Sequence, residues 1–246
     1  MATSLFNVLN ISRQDMLSRL ADLDQVANNL ANVNTTGFKS SRSNFQELLV
    51  DSQKNGVYLS STQVSARQGT ILDSDSPLHL AINGEGFFAI QLPGDQTGYT
   101  RDGQFELDDD NQLVTANGYP VVWDGEIPAD AEEVEVLQDG RVMARQGETW
   151  SEAGQIEITR FPNPTGLASY GENLWLETEV SGEGVSGAPM TENYGQIFGA
   201  SVEASNVDLS TELTHLMSLQ RNFQMSARAF QQTDEMITDA IHVRKA

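Results

Sequence analysis

The sequence predicts an α+β protein in which long N- and C-terminal helices pair as a coiled-coil-like stalk, with an intervening all-β domain. Apolar residues recur in steps of three and four at both ends of the chain, which is the spacing of helices that pack along one stripe. The middle of the chain alternates apolar and polar residues between turn-forming sequences, which is typical of strands. The middle is also strongly acidic, whereas the two ends are nearly neutral.

The N-terminal helix is predicted from the apolar spacing between Leu5 and Leu30. The helix should end near Thr36 and Gly37, because glycine readily adopts the left-handed conformation that closes a helix. Phe38 would then supply the apolar contact that accompanies such a cap. The apolar stripe of this helix consists of Leu5, Leu9, Met16, Leu20, Leu23, Ala27 and Leu30.

Four asparagines lie near the end of this helix, although asparagine favours turns and caps over helix interiors. One interpretation is that their amides form hydrogen bonds across interfaces between helices and so fix the register of packing. The alternative is that they only weaken the helix before its cap at Gly37. From the sequence, both interpretations remain open for Asn28, Asn29, Asn32 and Asn34.

A second helix is predicted at the C-terminal end, from about Val207 to His242. Ser205 or Asn206 is the expected N-cap, since both side chains accept hydrogen bonds from backbone N–H groups at a helix start. At about 1.5 Å per residue this helix would be about 50 Å long. Its apolar stripe consists of Leu209, Leu213, Leu216, Phe223, Ala227, Phe230, Ile237 and Ile241.

The middle of the chain contains strand-like runs separated by turn signals. The sequence VEVLQDGRVMAR predicts a hairpin that turns at Asp139 and Gly140. Stretches rich in glycine and polar residues flank the strands and are expected to be connectors. The predicted segments are an N-terminal helix of an inner tube domain at 1–36, an extended connector at 37–77, a β-rich outer domain at 78–179, a connector at 180–204 and a C-terminal helix of the inner tube domain at 205–246.

The formal net charge of −21 is concentrated in residues 71–200, which contain four basic and twenty-four acidic side chains. This excess argues against nucleic acid and anionic membranes as partners, because both require clustered Lys and Arg. The chain has no cysteine, which excludes disulfide bonds and thiolate zinc sites. We expect no cleaved signal peptide and no membrane insertion, since neither a charged n-region before an apolar segment nor a run of about 20 apolar residues occurs.

Three patterns resemble catalytic or ligand-binding motifs, but each has a simpler interpretation. The sequence GEGFFA at 84–89 matches a dinucleotide fingerprint, yet strand-like residues follow it where a helix should begin. The acidic run at 108–110 lacks the Gly and Glu that a calcium-binding loop requires at its sixth and twelfth positions. The three histidines are scattered singly. We therefore predict no catalytic residue, no cofactor and no metal, and a protein that is not an enzyme.

The apolar residues of both helices exceed what one partner helix can cover. A hairpin of the two helices packed on the β domain is one interpretation, but residues off the main stripes, such as Val26 and Met217, would still need a neighbour. Burying a large apolar side chain contributes roughly 1.5–3 kcal/mol, so leaving about a dozen exposed would forgo a domain's net stability. We therefore predict an open helical homo-oligomer. Its predicted assembly interface consists of Leu9, Met16, Leu20, Leu23, Ala27, Asn28, Asn29, Leu30, Asn32, Asn34, Leu209, Leu213, Leu216, Phe223, Ala227, Phe230, Ile237 and Ile241.

The sequence VANNLANVNTTGFKSSR at 26–42 closely resembles the N-terminal signature of the axial proteins of the bacterial flagellar rod and hook. By this resemblance Thr36, Gly37 and Phe38 form the signature turn of the family. The length is similar to that of rod proteins rather than hook proteins. The resemblance covers nearly the entire chain, since it continues in INGEGFFAIQ, YTRDGQF, DNQLVTANGYPV, FPNPTGL, GENLWLET and SNVDLSTELTHLMSLQRNFQMSARAFQQTDEM.

The resemblance implies a structural subunit of the flagellar rod, which transmits torque from motor to hook and uses no cofactor. Its expected partners are further copies of itself, other rod and hook proteins, and the surrounding basal-body rings and export apparatus. Its expected location is the periplasm-spanning rod of the basal body, reached by type III export without signal cleavage. The distal rod is favoured. The proximal rod is an alternative because the connector from about Gln53 to Leu80 is short for a distal rod protein, and a secreted adhesin with a helical stalk is an alternative of a different class.

Overall fold

The computed structural model describes the backbone of residues 2–50, 53–191 and 193–245, and the side chains of residues 10–44, 62–191, 193–238 and 242. Leu5, Leu9 and Ile241 of the predicted stripes lie outside the residues whose side chains are described. The chain groups into two compact units. We call them the helical unit, formed by 1–31, 41–63 and 208–246, and the β unit, formed by 32–40 and 64–207.

The helical unit contains two long helices and a pair of strands. Helix α1 spans Ala2–Ala31 and helix α2 spans Leu209–Lys245. Strand β1 (Ser41–Val50) pairs with strand β2 (Gln53–Val64) in a two-stranded sheet. The segment 37–77, expected to be an extended connector, therefore contains regular strands.

Helix α1 ends at Ala31, whereas the sequence predicts an end close to Gly37. The chain turns directly after the helix, because the carbonyl oxygen of Asn32 accepts the N–H of Thr35 at 3.2 Å. This bond closes a tight turn in place of the helical hydrogen-bond pattern. The residues between Ala31 and Gly37 belong to that turn and not to the helix.

Helix α2 begins one residue after Asp208, which acts as its N-cap. The side-chain Oδ1 of Asp208 accepts the N–H of Thr211 at 2.8 Å, and hydrogen bonding to this backbone group lowers the pKa of the Asp208 carboxyl. The expected cap at Ser205 or Asn206 is therefore wrong. Several cap-forming residues stand in a row here, and only Asp208 directly precedes the first helical residue.

The two helices run antiparallel within the helical unit, as their side-chain contacts demonstrate. Near the end of α1, Nδ2 of Asn29 donates to Oε1 of Glu212 at 3.1 Å. Nearer its start, Oδ2 of Asp15 accepts a hydrogen bond from Oγ of Ser226 at 2.5 Å. The end of α1 therefore lies beside the start of α2, and an earlier part of α1 lies beside a later part of α2. These polar contacts fix the register of the two helices.

The predicted coiled-coil-like stalk is not the architecture of this chain, and that prediction is wrong. Within the described residues there are only two α-helices against eighteen strands, six of which form one sheet. The stripe residues Leu20 and Leu213 are 49% and 39% exposed, whereas the polar Ser18 and Thr233 are buried. The three-four spacing therefore does not produce the continuous apolar seam that a coiled coil requires.

The β unit is built from short strands in antiparallel sheets. Its strands are β3 (Ile71–Asp73), β4 (Leu80–Asn83), β5 (Phe87–Leu92), β6 (Gln96–Thr100), β7 (Phe105–Leu107), β8 (Leu113–Thr115), β9 (Asp124–Gly125), β10 (Glu133–Val136), β11 (Arg141–Gln146), β12 (Thr149–Gln155), β13 (Ile158–Arg160), β14 (Ala168–Gly171), β15 (Leu174–Leu176), β16 (Val185–Gly187), β17 (Gln196–Gly199) and β18 (Ser201–Glu203). The six-stranded sheet has the order β14-β15-β6-β5-β13-β16, and a four-stranded sheet has the order β10-β11-β12-β9. Strands β17 and β4, β18 and β3, and β7 and β8 form separate pairs.

The predicted hairpin at Asp139 and Gly140 is confirmed. Strands β10 and β11 pair antiparallel with Val136 opposite Val142. Gly140 has a φ of +83°, in the left-handed region that glycine adopts without strain. Local turn chemistry was therefore sufficient to locate this element.

The core of the β unit forms where apolar residues of neighbouring strands meet. Leu80 and Ile82 of β4 and Phe88 and Ile90 of β5 are completely buried. The ring of Phe88 packs edge-on against Phe105, with ring centroids 5.1 Å apart. Each such burial contributes roughly 1.5–3 kcal/mol, so these side chains stabilise the fold of the β unit.

Candidate functional site

Large apolar side chains on both helices of the helical unit are exposed. Their exposed fractions range from 37% for Ile11 to 61% for Met225 and Met236. An accumulation of exposed apolar side chains is typical of protein–protein interaction sites. We call this set the apolar helix surface: Ile11, Leu17, Leu20, Leu209, Leu213, Met217, Met225 and Met236.

The residues predicted for the assembly interface differ in their exposure to solvent. Leu20, Ala27, Leu209 and Leu213 are exposed. The predicted stripes omit Ile11 and Leu17, which are also exposed, because both lie off the three-four spacing. The predicted residues of intermediate exposure are Met16, Leu23, Leu30, Leu216, Phe223, Ala227, Phe230 and Ile237.

Asn29 is buried, and its amide joins three elements of the helical unit. Its Nδ2 donates to the carbonyl oxygen of Ser41 at 2.9 Å as well as to Glu212, and its Oδ1 accepts the N–H of Ser41 at 3.1 Å. Helix α1 is thereby tied to β1 and to α2. This is the interhelical bonding that one interpretation of the asparagines predicts, formed here within one chain.

The other three asparagines have different surroundings. Asn28 and Asn34 are exposed. Oδ1 of Asn32 accepts a hydrogen bond from the hydroxyl of Thr35 at 3.1 Å, in addition to the backbone bond that closes the turn. Asn32 thus belongs to the turn that follows α1. A role of these three residues in assembly stays a prediction.

The signature turn is held by hydrogen bonds to the rest of the β unit. The N–H of Gly37 donates to the carbonyl oxygen of Glu203 at 2.7 Å, and the hydroxyl of Thr36 donates to Oδ1 of Asp102 at 2.8 Å. The carbonyl oxygen of Thr36 accepts Nδ2 of Asn173 at 2.8 Å. Gly37 has the predicted left-handed conformation, with a φ of +63°, and a Cβ there would lie 2.4 Å from the backbone nitrogen of Asp102. Both the conformation and the space require glycine.

The residues after the turn are held by Asn206. Its backbone N–H donates to the carbonyl oxygen of Phe38 at 3.3 Å, and its Oδ1 accepts the N–H of Ser40 at 2.7 Å. Its Nδ2 donates to the carbonyl oxygen of Arg67 at 2.8 Å. Asn206, which the sequence suggested as a helix cap, instead connects three segments of the β unit.

Three buried charges lie beside the signature turn. Nζ of Lys39 is 2.5 Å from Oε1 of Glu203, and Nη1 of Arg101 is 3.2 Å from Oε2 of the same carboxylate. Burial lowers the pKa of Lys39 and of Arg101, and the negative charge of Glu203 opposes this effect. The sequence could not indicate this group, since Lys39 and Arg101 lie 164 and 102 residues from Glu203.

The motif-like sequences form ordinary structure in the part of the chain that is described. The sequence GEGFFA forms a turn that leads into strand β5, where a dinucleotide site would need a helix. No three His, Asp or Glu side chains among the described residues come together as a metal site. None of the described helices has the length and apolar content needed to span a membrane.

Known sequence families match three parts of the chain. The family described as "Flagellar hook protein FlgE/F/G D1 domain" matches residues 81–144, "Flagellar basal body rod FlgEFG protein C-terminal" matches 199–242, and "Flagella basal body rod protein" matches 16–39. The flagellar basal-body rod protein FlgG of Bacillus subtilis is 35% identical over 248 residues, which cover 91% of this chain and 93% of the relative. The chain belongs to the flagellar basal-body rod protein family.

Further rod proteins are similar over nearly the whole length. FlgG of Caulobacter vibrioides is 34% identical over 258 residues, covering 96% of this chain and 98% of the relative. FlgF of the same organism is 34% identical over 250 residues, covering 95% of both chains. This rod protein is therefore a structural subunit of the flagellar rod and not an enzyme, and it functions with other components of the basal body. The family resemblance predicted from the signature sequences is confirmed, and the alternative of a secreted adhesin is not favoured.

Proposed function

We propose that this rod protein assembles with further copies of itself into an open helical tube, whose wall contains the two terminal helices and transmits torque. The apolar helix surface is the observation that carries the proposal. Burying each of its side chains would contribute up to roughly 1.5–3 kcal/mol. Contacts between copies would bury these side chains and so stabilise the assembly. The proposed interface comprises the residues predicted from the sequence, together with Ile11, Leu17, Met217, Met225 and Met236.

Torque transmission requires contacts that resist sliding. Within one copy, the buried amide of Asn29 and the bond between Asp15 and Ser226 fix the register of α1 and α2. Between copies, close packing of apolar side chains supplies stiffness, because packed interiors have low compressibility. The strong negative charge of residues 71–200 would limit adhesion of the β unit to other acidic surfaces.

The proposed location is the distal rod, in the periplasm-spanning part of the basal body. Relatives named FlgG in Bacillus subtilis and Caulobacter vibrioides, each covering more than nine-tenths of the chain, support this assignment. The similarity to FlgF makes the proximal rod the alternative. Labelling a tagged protein in purified basal bodies distinguishes them, since label next to the hook supports the distal position. Export with an intact N terminus stays a prediction, which the mass of the protein from the same basal bodies tests.

Replacing Leu213 with aspartate tests the proposed interface. Leu213 lies on the apolar helix surface and is 39% exposed, so Leu213→Asp should disturb one chain little but place a charge between copies. We expect the concentration needed for assembly to rise at least about tenfold, equivalent to about 1.4 kcal/mol per contact. Sedimentation velocity over a range of concentrations measures this change.

Leu107→Asp is the matched control, because Leu107 is 37% exposed and lies in strand β7 of the β unit. This variant should assemble at the wild-type concentration. Equal assembly of Leu213→Asp and wild type, with both folded by circular dichroism, would contradict the proposed interface.

A further inference from the structure

Helix α1 has two long faces with different surroundings. On one face, Ser18, Val26 and Asn29 are buried within the helical unit, and Oδ2 of Asp22 lies 3.5 Å from Nε2 of His215 in α2. The opposite face is exposed over about six helical turns. We call this face the outer stripe: Asn10, Arg13, Leu17, Leu20, Asp24, Ala27 and Ala31. Its residues follow one another in alternating steps of three and four, which is the spacing of a seam that packs along one further helix.

The charged and apolar residues of the outer stripe are arranged symmetrically. Leu17 and Leu20 stand at its centre and are 53% and 49% exposed. Arg13 lies four residues before Leu17, and Asp24 lies four residues after Leu20, so both pairs share a midpoint between residues 18 and 19. Neither Arg13 nor Asp24 has an ion-pair partner among the residues whose side chains are described.

This symmetry makes the outer stripe complementary to a second, antiparallel copy of itself. Leu17 of each copy would face Leu20 of the other, and Arg13 of each copy would face Asp24 of the other. The two copies would overlap over residues 10–27, a length of about 27 Å. A parallel copy aligned on the two leucines would instead place like charges opposite each other, which is unfavourable. The charges therefore select the antiparallel arrangement.

We propose that the outer stripe binds the outer stripe of a second copy of this chain, antiparallel and related by a two-fold axis. The second copy is the occupant because the stripe complements itself both in charge and in the position of its apolar residues. An isologous contact closes at two copies and does not extend into a filament. The pairing is therefore separate from the proposed tube, and it covers Leu17 and Leu20 in protein that has not assembled.

Disulfide trapping of the full-length protein tests the pairing, because the chain has no cysteine of its own. Arg13→Cys and Asp24→Cys are made in separate chains and mixed, so that each mixed pair keeps one of its two contacts between Arg13 and Asp24. The two cysteines then face each other, whereas like positions lie about 16 Å apart along the helix axes. A disulfide joins Cα atoms within about 7 Å, so the mixture should form linked dimers at least about tenfold faster than either variant alone. Equal rates overturn the proposal.

A second mixture tests whether α2 of another copy occupies the outer stripe. Arg221 is an exposed basic residue of α2 that could pair with Asp24 in that case. We expect Asp24→Cys mixed with Arg221→Cys to form linked dimers no faster than either variant alone. Linking as fast as in the first mixture would assign the stripe to α2 and overturn the proposal.

Charge reversal tests the pairing without cysteine. Arg13→Asp and Asp24→Arg each place like charges opposite each other and should raise the dissociation constant of the dimer at least about fivefold. The double variant restores opposite charges and should return the constant to within about twofold of wild type. Both positions are exposed, so loss of folding is not expected, and circular dichroism checks helicity. Arg228→Asp, at an exposed position of α2, is the control and should pair as wild type does.

Sedimentation equilibrium measures these constants after larger particles have been pelleted. A double variant that pairs as weakly as the single variants overturns the proposal. Wild-type protein that forms larger particles but no dimer supports the tube and overturns the pairing. A dimer without larger particles supports the pairing and contradicts the tube, so the two proposals fail separately.

Discussion

A single glycine determines whether the signature turn can form. Gly37 combines a positive φ with a backbone approach so close that no Cβ fits beside Asp102. The sequence predicted the left-handed conformation, because glycine after a helix is a strong local signal. It could not predict the close approach, since Asp102 is brought to the turn only by the folding of the β unit.

Replacing Gly37 with alanine should destabilise the β unit by more than about 2 kcal/mol, because left-handed strain and a backbone clash add together. Gly147→Ala is the matched control. Gly147 has a φ of +62°, and a Cβ added there would meet no atom within 4 Å, so only the strain applies. Urea unfolding of both variants measures the difference. Equal losses of unfolding free energy would mean that the contact with Asp102 has no energetic role.

The carboxyl of Asp102 should make the stability of the β unit depend on pH. Burial raises its pKa, and the hydrogen bonds from Thr36 and Gln104 only partly oppose this. A raised pKa in the folded state means that the protonated carboxyl favours folding. This contribution is full below the unfolded pKa of about 3.9 and is lost as pH rises through the folded pKa.

Asp102→Asn should therefore be more stable than wild type at pH 7 and lose that advantage at pH 4. The asparagine Oδ1 can still accept both hydrogen bonds, so the variant differs mainly in charge. The free energy of unfolding at several pH values measures the effect. A constant difference between variant and wild type from pH 4 to pH 7 would show that Asp102 does not titrate as burial requires.

The helices and strands were predictable where their signals are local. The hairpin at Asp139 and Gly140 follows from its turn residues, and both long helices follow from apolar spacing. Strand β2 was not predicted, because its sequence QKNGVYLSSTQV is polar enough to resemble a connector. The stalk was predicted wrongly, since spacing within each helix does not reveal which residues the partner covers.

The N-cap of α2 should stabilise the helical unit. Asp208→Ala removes the acceptor for the N–H of Thr211 and should lower the free energy of unfolding of the helical unit at neutral pH. Because the pKa of Asp208 is lowered, its contribution is present above the unfolded pKa of about 3.9 and is lost as pH falls through the folded pKa. The loss caused by Asp208→Ala should therefore shrink as pH falls from the unfolded pKa of about 3.9 through the folded pKa. Asp234→Ala, at an exposed position inside α2, is the control and should not lose helicity by circular dichroism.

The two units of the molecule differ in how they place their apolar side chains. The β unit has its own buried core and holds the signature turn, while the helical unit exposes apolar side chains on both helices. The rod family was recognisable from the sequence, because its signature phrases extend over nearly the whole chain. The buried charges at Lys39, Arg101 and Glu203 were not, since these residues come together only in the folded chain.

Oxidation of methionines in the monomer and in the assembled particle tests the proposed assembly most directly. Met217, Met225 and Met236 of α2 are 52%, 61% and 61% exposed in one chain, and Met190 of the β unit is 59% exposed. Mass spectrometry after brief hydroxyl-radical treatment measures the oxidation rate of each. We predict that assembly protects the three methionines of α2 at least about tenfold while Met190, which lies outside the proposed interface, reacts as before. Equal oxidation rates for the α2 methionines in monomer and particle would contradict the proposal that the helices form the wall of the tube.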